Sequence, residues 1–346
     1  MAQRIRNQHF VPQAYLRQWS EDGRTIWCYR LLVSHAGVPA WEQRSIERTA
    51  SWLDLYTGIV DGEETDEFER WMAEEVEAPV AEVLNKVARD QPLTTADWER
   101  LILLFALQDL RTPAAYVEAR QRWDPEMEST LTAVLQRSVE ELQRAREGGR
   151  TLPQPPPAPE DMRDVLKVEV RPATNSEHEG MGEIRAEVTV GRKLWHAQIR
   201  LLMSGEALQH LMRHEWRIVH PCPGTGWFTS DHPVIKLNFN AEDAYDLLGG
   251  WGSPGTDLAM PLSPSHLLHT QIDRHQADHD TLSPEQTRIM QKMIAERAFR
   301  WIFAHKRMRK AEWLRPRWVN AEAFTFEEQQ RAEWSDDQRR AELDGV

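Results

Sequence analysis

Cysteine is scarce in this chain. Cys28 and Cys222 are the only two, they lie far apart, and no C-x-x-C occurs. Neither a disulfide framework nor a zinc knuckle is expected, and both thiols should be reduced. Long apolar runs are missing as well. No stretch approaches the run of about 20 apolar residues that a membrane helix requires. The opening MAQRIRNQHF has no signal-peptide hydrophobic region, so the expectation is a soluble, cytoplasmic protein with no membrane partner. Positive charge is in deficit, with 42 Lys and Arg against 55 Asp and Glu and a net charge of −13. That argues against a generic nucleic-acid-coating protein, because phosphate binding needs a positive surface, but it leaves room for a local basic groove. Common catalytic signatures are absent too. Without G-x-S-x-G, G-x-x-x-x-G-K-[ST], H-E-x-x-H or G-x-G-x-x-G, the serine hydrolase, P-loop, zincin and dinucleotide-binding readings lose their support.

What is present is globular. The 346 residues suffice for one large or two ordinary domains, and 40% hydrophobic with 28% charged residues is a folded rather than a disordered composition. Fifteen tryptophans imply extensive buried aromatic surface. The stretch Asn7 to Trp19, NQHFVPQAYLRQW, runs a polar triplet (Asn7, Gln8, His9) into Phe10-Val11-Pro12 and a short amphipathic segment with Tyr15, Leu16, Arg17 and Trp19. Proline is tolerated in the first turn of a helix, so His9 is expected just outside a helix N-terminus, where an anion or a carboxylate is readily held.

Further along, Thr25 to Leu31 reads as a strand and a second extended piece is expected near Leu53 to Thr57, with a helical Ser45 to Trp52 between them. Phe68, Met72, Ala73, Val76, Val80, Val83, Leu84 and Val87 recur with helical period, giving an amphipathic helix from Asp66 to Arg89. Thr95 or Asp97 opens another helix through Leu110, whose centre LILLFAL is apolar all round and must be buried. Thr112-Pro113 and Asp124-Pro125 each look like an N-cap followed by proline, predicting two consecutive helices up to Glu147. Residues 148–160 hold five prolines and two glycines and read as a linker. Residues 164–190 suggest a hairpin, and Lys193 to His214 a helix. Short strands are expected over Trp216–His220, Gly226–Thr229, Pro233–Leu237, Ala259–Leu262 and Leu267–Ile272, then a helix from Pro284 to Arg300 and a strand at Trp301–Phe303. The tail from Glu327 is expected as a surface helix or disordered chain.

These elements predict an α+β fold in which a mostly helical N-terminal half packs on a small, largely antiparallel sheet built from N- and C-terminal segments. The domain reading is one α+β domain over residues 1–305, interrupted at 148–160, and a basic, Trp-bearing segment with a charged tail over 306–346.

Polar residues on apolar elements are the candidates for function. Glu77 borders the apolar stripe of its helix, and Gln108 and Arg111 extend the apolar side of the buried one. A buried charge is costly unless paired, so Arg111 should meet either Glu77 or a substrate anion. In WFTSDHPV, Ser230 and Asp231 follow an apolar strand and precede a proline turn, a place from which acids are presented to clefts but also one where Asx turns form. His210 with His214, and His275 with His279 beside Asp273, Asp278 and Asp280, have the i, i+4 spacing that can chelate a metal on a helix, though neither pair has a third ligand in the sequence pattern. Arg297 to Trp318 interleaves eight basic residues with Trp301, Trp313 and Trp318, the recipe for single-stranded nucleic acid and equally for a solvated helix face.

Several of these segments resemble an uncharacterised family, the domain-of-unknown-function family numbered 4238. The similarity rests on Asn7 to Trp19, Glu77 to Val87, Leu104 to Pro113, Trp216 to Val234 and Met260 to Pro264, with Arg297 to Phe303 a weaker match. The resemblance implies a single domain spanning the linker, with the polar elements of both halves converging, and it brings no assigned activity.

The expectation drawn from the residues is a hydrolase acting on a phosphoester or nucleic-acid-like anionic substrate. His9 would act as general acid or base, Asp231 as base or ligand of a divalent metal, and Arg111 as an anion clamp, with Asn7, Gln8, Tyr15, Arg17, Glu77, Gln108 and Ser230 binding or orienting. The competing expectation is a non-catalytic binding module with a protein partner, in which the same residues form a buried structural network. An open pocket holding those side chains favours the enzyme, and a sealed network favours the module.

Overall fold

A computed structural model describes residues 4–60, 62–151, 165–172, 182–188, 190–273 and 280–344. Most of the 148–160 linker and the His275/His279 pair with Asp278 lie outside the described residues.

The fold is α+β, built as the residue patterns require. Two antiparallel sheets carry it. One has five strands in the spatial order Arg217–Val219, His266–Gln271, Asp257–Ser263, Ile235–Ala241 and Ala244–Asp246. Its central strands are buried almost throughout, as expected of near-continuous apolar runs. Pro261 is accommodated because the register shifts between Pro261 and Ser263, the kind of bulge at which a strand tolerates a missing N–H. The other sheet joins the two ends of the chain in the order Thr229–Ser230, Trp301–Ala304, Thr25–Arg30 and Trp41–Ser45. Phe303 pairs with Cys28 and Trp27 with Gln43, so the N-terminal hairpin receives a strand from beyond residue 300.

Helices pack over this framework. Thr95–Leu110 is opened by a capping box between Thr94 and Asp97, and Leu101, Ile102, Leu104, Phe105, Ala106 and Leu107 are all buried. The amphipathic helix is broken into Glu67–Met72, a π-turn over Ala73–Glu77, and Ala78–Val87. Pro79 lacks the N–H an unbroken helix would use, and the wider turn preceding it absorbs that defect. Beyond the hairpin Leu166–Pro172 and Gly182–Val188, the helices Arg192–Ser204 and Glu206–Met212 meet at Gly205.

Three local expectations are corrected. Ser45 to Trp52 is not a helix but the end of a strand, a 3-10 turn at Ile46–Arg48, and the start of the strand Ser51–Leu53. Its apolar residues face the core by turn geometry rather than by helical period. Pro125 does not start a second helix: Pro113–Glu147 is continuous through it, at the cost of one amide–carbonyl bond. His9 does not sit at a helix N-terminus. It lies in the strand Asn7–His9, paired with Ser51–Leu53, and the helix that follows Pro12 has only four residues. The tail takes the helical one of its two expected forms, Ala321–Asp344, and is tied to the body. Glu342 ion-pairs with the buried Arg192 at 2.9 Å, and Trp334 packs edge-on to Tyr116 and Trp52. Among the described residues no helix is long and apolar enough to cross a membrane.

Candidate functional site

The polar residues of the opening motif and of the buried helix form one knot under the strand Asn7–His9. Arg111 is fully buried. One of its guanidinium nitrogens donates to Glu77 Oε1 at 2.5 Å and another to the His9 carbonyl. Gln108 Nε2 donates to the Phe10 carbonyl at 2.7 Å, so the helix end grips two successive carbonyls of the motif. Tyr56 closes the knot, its hydroxyl donating to the Arg111 carbonyl at 2.5 Å. The Gln8 amide is equally committed: its oxygen accepts from Tyr56 N at 2.5 Å and its nitrogen donates to Ile5 O and Thr57 Oγ1. Burial lowers the His9 imidazole below its ordinary value, and Arg111 adds to the effect. Glu69, buried beside this knot, is pushed up to about 7 by desolvation, with Glu77 and Asp66 adding repulsion against the pull of Arg111.

The remaining candidates are placed elsewhere. Asn7 donates to the Glu47 carbonyl and Arg17 to Gln13, both at exposed positions. The Tyr15 hydroxyl is buried between Thr229 Oγ1 at 2.6 Å and the Pro261 carbonyl at 2.5 Å, and burial raises its pKa. Ser230 Oγ accepts from His232 N within its own turn. The Asp231 carboxylate receives the backbone N–H groups of Phe299 and Arg300 at 2.9 and 2.8 Å, while its own N–H donates to the Trp301 carbonyl. Desolvation pushes that carboxyl up to about 6 against those two bonds. Among the described residues no hydrogen bond or ion pair joins Asp231 to His9 or Arg111.

Two features of the same motifs escape sequence reasoning. His232, next to Asp231, is buried with Nδ1 2.7 Å from Thr112 Oγ1, and Glu118 lies 3.6 Å from its Nε2. Glu118 in turn forms a two-pronged pair with Arg297 at 2.6 and 3.1 Å, so three motifs are tied together through one histidine. The other feature is a narrow arginine-lined pocket, with a cavity volume of about 30 Å³ and partly open to solvent, where the motifs of both chain ends meet. Phe10 stands on one wall, Arg300 and Trp301 on another, and neither His9 nor Asp231 lines it. Asp231 therefore acts on the pocket through the backbone of Arg300.

Arg30, Arg44, Arg48, Arg300 and Arg331 reach this space, against only Glu327 and Glu328. They come from a strand end, the neighbouring strand, a 3-10 turn, the turn held by Asp231, and the C-terminal helix. Their planes rest on aromatic rings: Arg30 lies 4.3 Å from Phe324 and 5.2 Å from Trp301, Arg44 4.8 Å from Trp301, and Arg300 5.0 Å from Trp52. Glu328 meets Arg30 at 2.7 Å, and Glu327 lies 3.3 Å from Arg30 and 3.1 Å from Arg300. Withdrawal from water, together with Arg300, Arg44 and Arg30 nearby, lowers the Arg331 guanidinium from its ordinary value despite Glu328. The buried Arg30 Nε has no hydrogen-bond partner among the described residues. Spacing could not reveal this cluster, because its members come from five separate segments and only Arg300 falls in the basic stretch 297–318. Of the tryptophans of that stretch, Trp301 faces the pocket, while Trp313 and Trp318 are exposed.

The order and content of these segments settle the relationship. Residues 7–308 match the family described as a protein of unknown function, DUF4238. The chain belongs to that family. The DUF4238 match takes in the buried knot, the Asp231 turn and four of the five pocket arginines, and stops before the helix that supplies Arg331, Glu327 and Glu328. No curated protein and no solved structure matches the chain.

Among the expected metal-binding pairs, His210 and His214 sit 5.0 Å apart edge to face, but His214 Nε2 lies 2.7 Å from the Trp251 carbonyl and is used as a donor there.

Proposed function

We propose that the protein recognises a phosphate-bearing anion, such as the terminal phosphate of a nucleotide or of a single-stranded nucleic acid, in the arginine-lined pocket. The observation that carries this reading is the charge imbalance, five guanidinium groups against two carboxylates in a chain whose overall charge is −13. Guanidinium stays ionised and offers forked donors that match phosphate oxygens, and desolvated arginines on aromatic planes are a preorganised receptor for them. Glu327 and Glu328 hold the place of the ligand oxygens, so an incoming phosphate displaces the carboxylates. On this reading the knot of His9, Glu77, Gln108 and Arg111 is a framework that fixes the floor of the pocket, and Asp231 fixes Arg300.

Titration of the full chain with inorganic phosphate, a nucleoside monophosphate and a 5′-phosphorylated oligonucleotide, read by tryptophan fluorescence, tests the reading. Binding that falls at least tenfold in Arg44→Ala/Arg48→Ala supports it. Absence of binding at millimolar phosphate compounds, or binding indifferent to those two arginines, defeats it. Hydrolysis of the bound ester is the second reading. It would draw on Glu327 or Glu328, the two carboxylates that line the pocket. Turnover assays with phosphomonoesters and oligonucleotides, with and without divalent cations, separate hydrolysis from binding alone.

A further inference from the structure

A second group of side chains, away from the arginines, has the make-up of a metal centre. Asp90, His220 and His266 come from three elements. Asp90 follows the helix Ala78–Val87, His220 follows the strand Arg217–Val219, and His266 opens the strand His266–Gln271. One ligand-type atom from each lies within 4.8 Å of the other two. His266 Nε2 is 2.9 Å from Asp90 Oδ1, and the two imidazole rings are 5.0 Å apart. A tetrahedral cation with bonds of about 2.0–2.1 Å keeps its ligand atoms roughly 3.4 Å apart, so small side-chain rotations suffice to close the group on an ion.

The outer contacts prepare the two histidines for that role. His220 Nδ1 lies 3.0 Å from the Ser265 carbonyl. A carbonyl only accepts, so Nδ1 carries the proton and Nε2 is left as a bare lone pair. His266 Nδ1 lies 2.6 Å from Ser263 Oγ, which also accepts the Ser265 N–H at 3.2 Å. Without a metal, Nε2 donates to Asp90 and Nδ1 accepts from the hydroxyl; once Nε2 is given to a metal, Nδ1 carries the proton toward Ser263, so the serine turn orients both rings at once. Histidines bound to metals almost always have such partners on the other nitrogen. His266 is 3% exposed, whereas the Asp90 side chain is 73% exposed. The group therefore has a fixed inner ligand, an accessible outer one, and room for water or a substrate atom on the solvent side.

We infer that Asp90, His220 and His266 bind a divalent transition metal, Zn²⁺ or a cation of similar preference, through two imidazole nitrogens and one carboxylate oxygen with a further position open. Two nitrogen ligands favour zinc, cobalt, nickel or iron over magnesium and calcium, which take oxygen ligands. On binding, the metal takes the place of the hydrogen bond between His266 Nε2 and Asp90, and the single imidazole proton is held on Nδ1 toward Ser263. The centre also clips the end of a helix from the N-terminal half to the five-stranded sheet.

The test uses the full chain stripped with chelator and then titrated with Zn²⁺ by calorimetry and with Co²⁺ by visible absorption. One equivalent should bind, with d–d bands of a four- or five-coordinate nitrogen–oxygen site, and melting should move upward with added zinc. Asp90→Ala, at an exposed position, should weaken binding at least tenfold. His220→Ala should remove the bands while circular dichroism stays unchanged. A His210→Ala/His214→Ala/His275→Ala/His279→Ala variant should bind as the wild type does. Absence of stoichiometric binding, or affinity untouched by Asp90→Ala and His220→Ala and lost in the fourfold variant, overturns the assignment.

Discussion

Replacing Glu69 by glutamine should change how stability depends on pH, and the size of the change follows from burial. The Glu69 carboxyl titrates at about 7 in the folded chain against 4.5 when unfolded, because desolvation penalises its charge more than Arg111 rewards it. A gap of one pH unit between the two states corresponds to about 1.36 kcal/mol, so ionised Glu69 costs the native state about 3 kcal/mol. The sign follows from proton counting. Between the two values the native state holds more protons than the unfolded one, so stability falls as pH rises through 4.5 and stops falling above about 7. Glutamine has the same shape and no charge, so Glu69→Gln should gain on the wild type over that window alone. For a chain of 346 residues, an unfolding entropy of about 2.1 cal/mol/K per residue turns about 3 kcal/mol into a melting difference of roughly 4 °C. Calorimetric melting of both proteins at about pH 4.5, 6 and 8 measures it, since the other titrating groups cancel in the difference. A gap between variant and wild type that does not widen with pH would refute the reasoning.

Three further outcomes are expected. Glu77→Gln leaves the fully buried Arg111 guanidinium without its carboxylate, and should cost about 3–5 kcal/mol in urea denaturation with an unchanged m-value. Asp231→Ala strips the acceptor from two backbone N–H groups, at about 1–3 kcal/mol each, and by loosening Arg300 it should also weaken phosphate binding. Glu328→Gln removes the carboxylate 2.7 Å from Arg30 and should tighten phosphate binding about tenfold, or about 1.4 kcal/mol. That gain, read by fluorescence titration, should shrink as salt is raised.

Legibility in the sequence followed the range of the interaction. The helix Thr95–Leu110 could be read directly, because a segment apolar on every side has to be buried and its capping box is local. The pairing of Arg111 with Glu77 was equally accessible, since an arginine on a buried face demands a counter-charge. Asp231 stands at a strand end, where its residue pattern allows either a cleft acid or a local turn, and no local pattern shows that two amides from residues 299 and 300 consume its oxygens. The arginine pocket was out of reach altogether. Arg30, Arg44 and Arg48 look like ordinary solvated charges until a strand from beyond residue 300 and the last helix are laid beside them. The centre formed by Asp90, His220 and His266 was missed for the same reason, since no spacing rule connects ligands drawn from such distant segments.

The ion pair between Arg192 and Glu342 bears on how the chain can be dissected. Arg192 is 2% exposed and its guanidinium takes both oxygens of Glu342, a residue 34 positions past the end of the DUF4238 match. Cutting the gene at the family boundary would strand a cation inside the protein with no counter-ion. A recombinant fragment ending at residue 308 should accordingly be recovered in inclusion bodies, and supplying the missing helix in trans as a separate peptide should restore it.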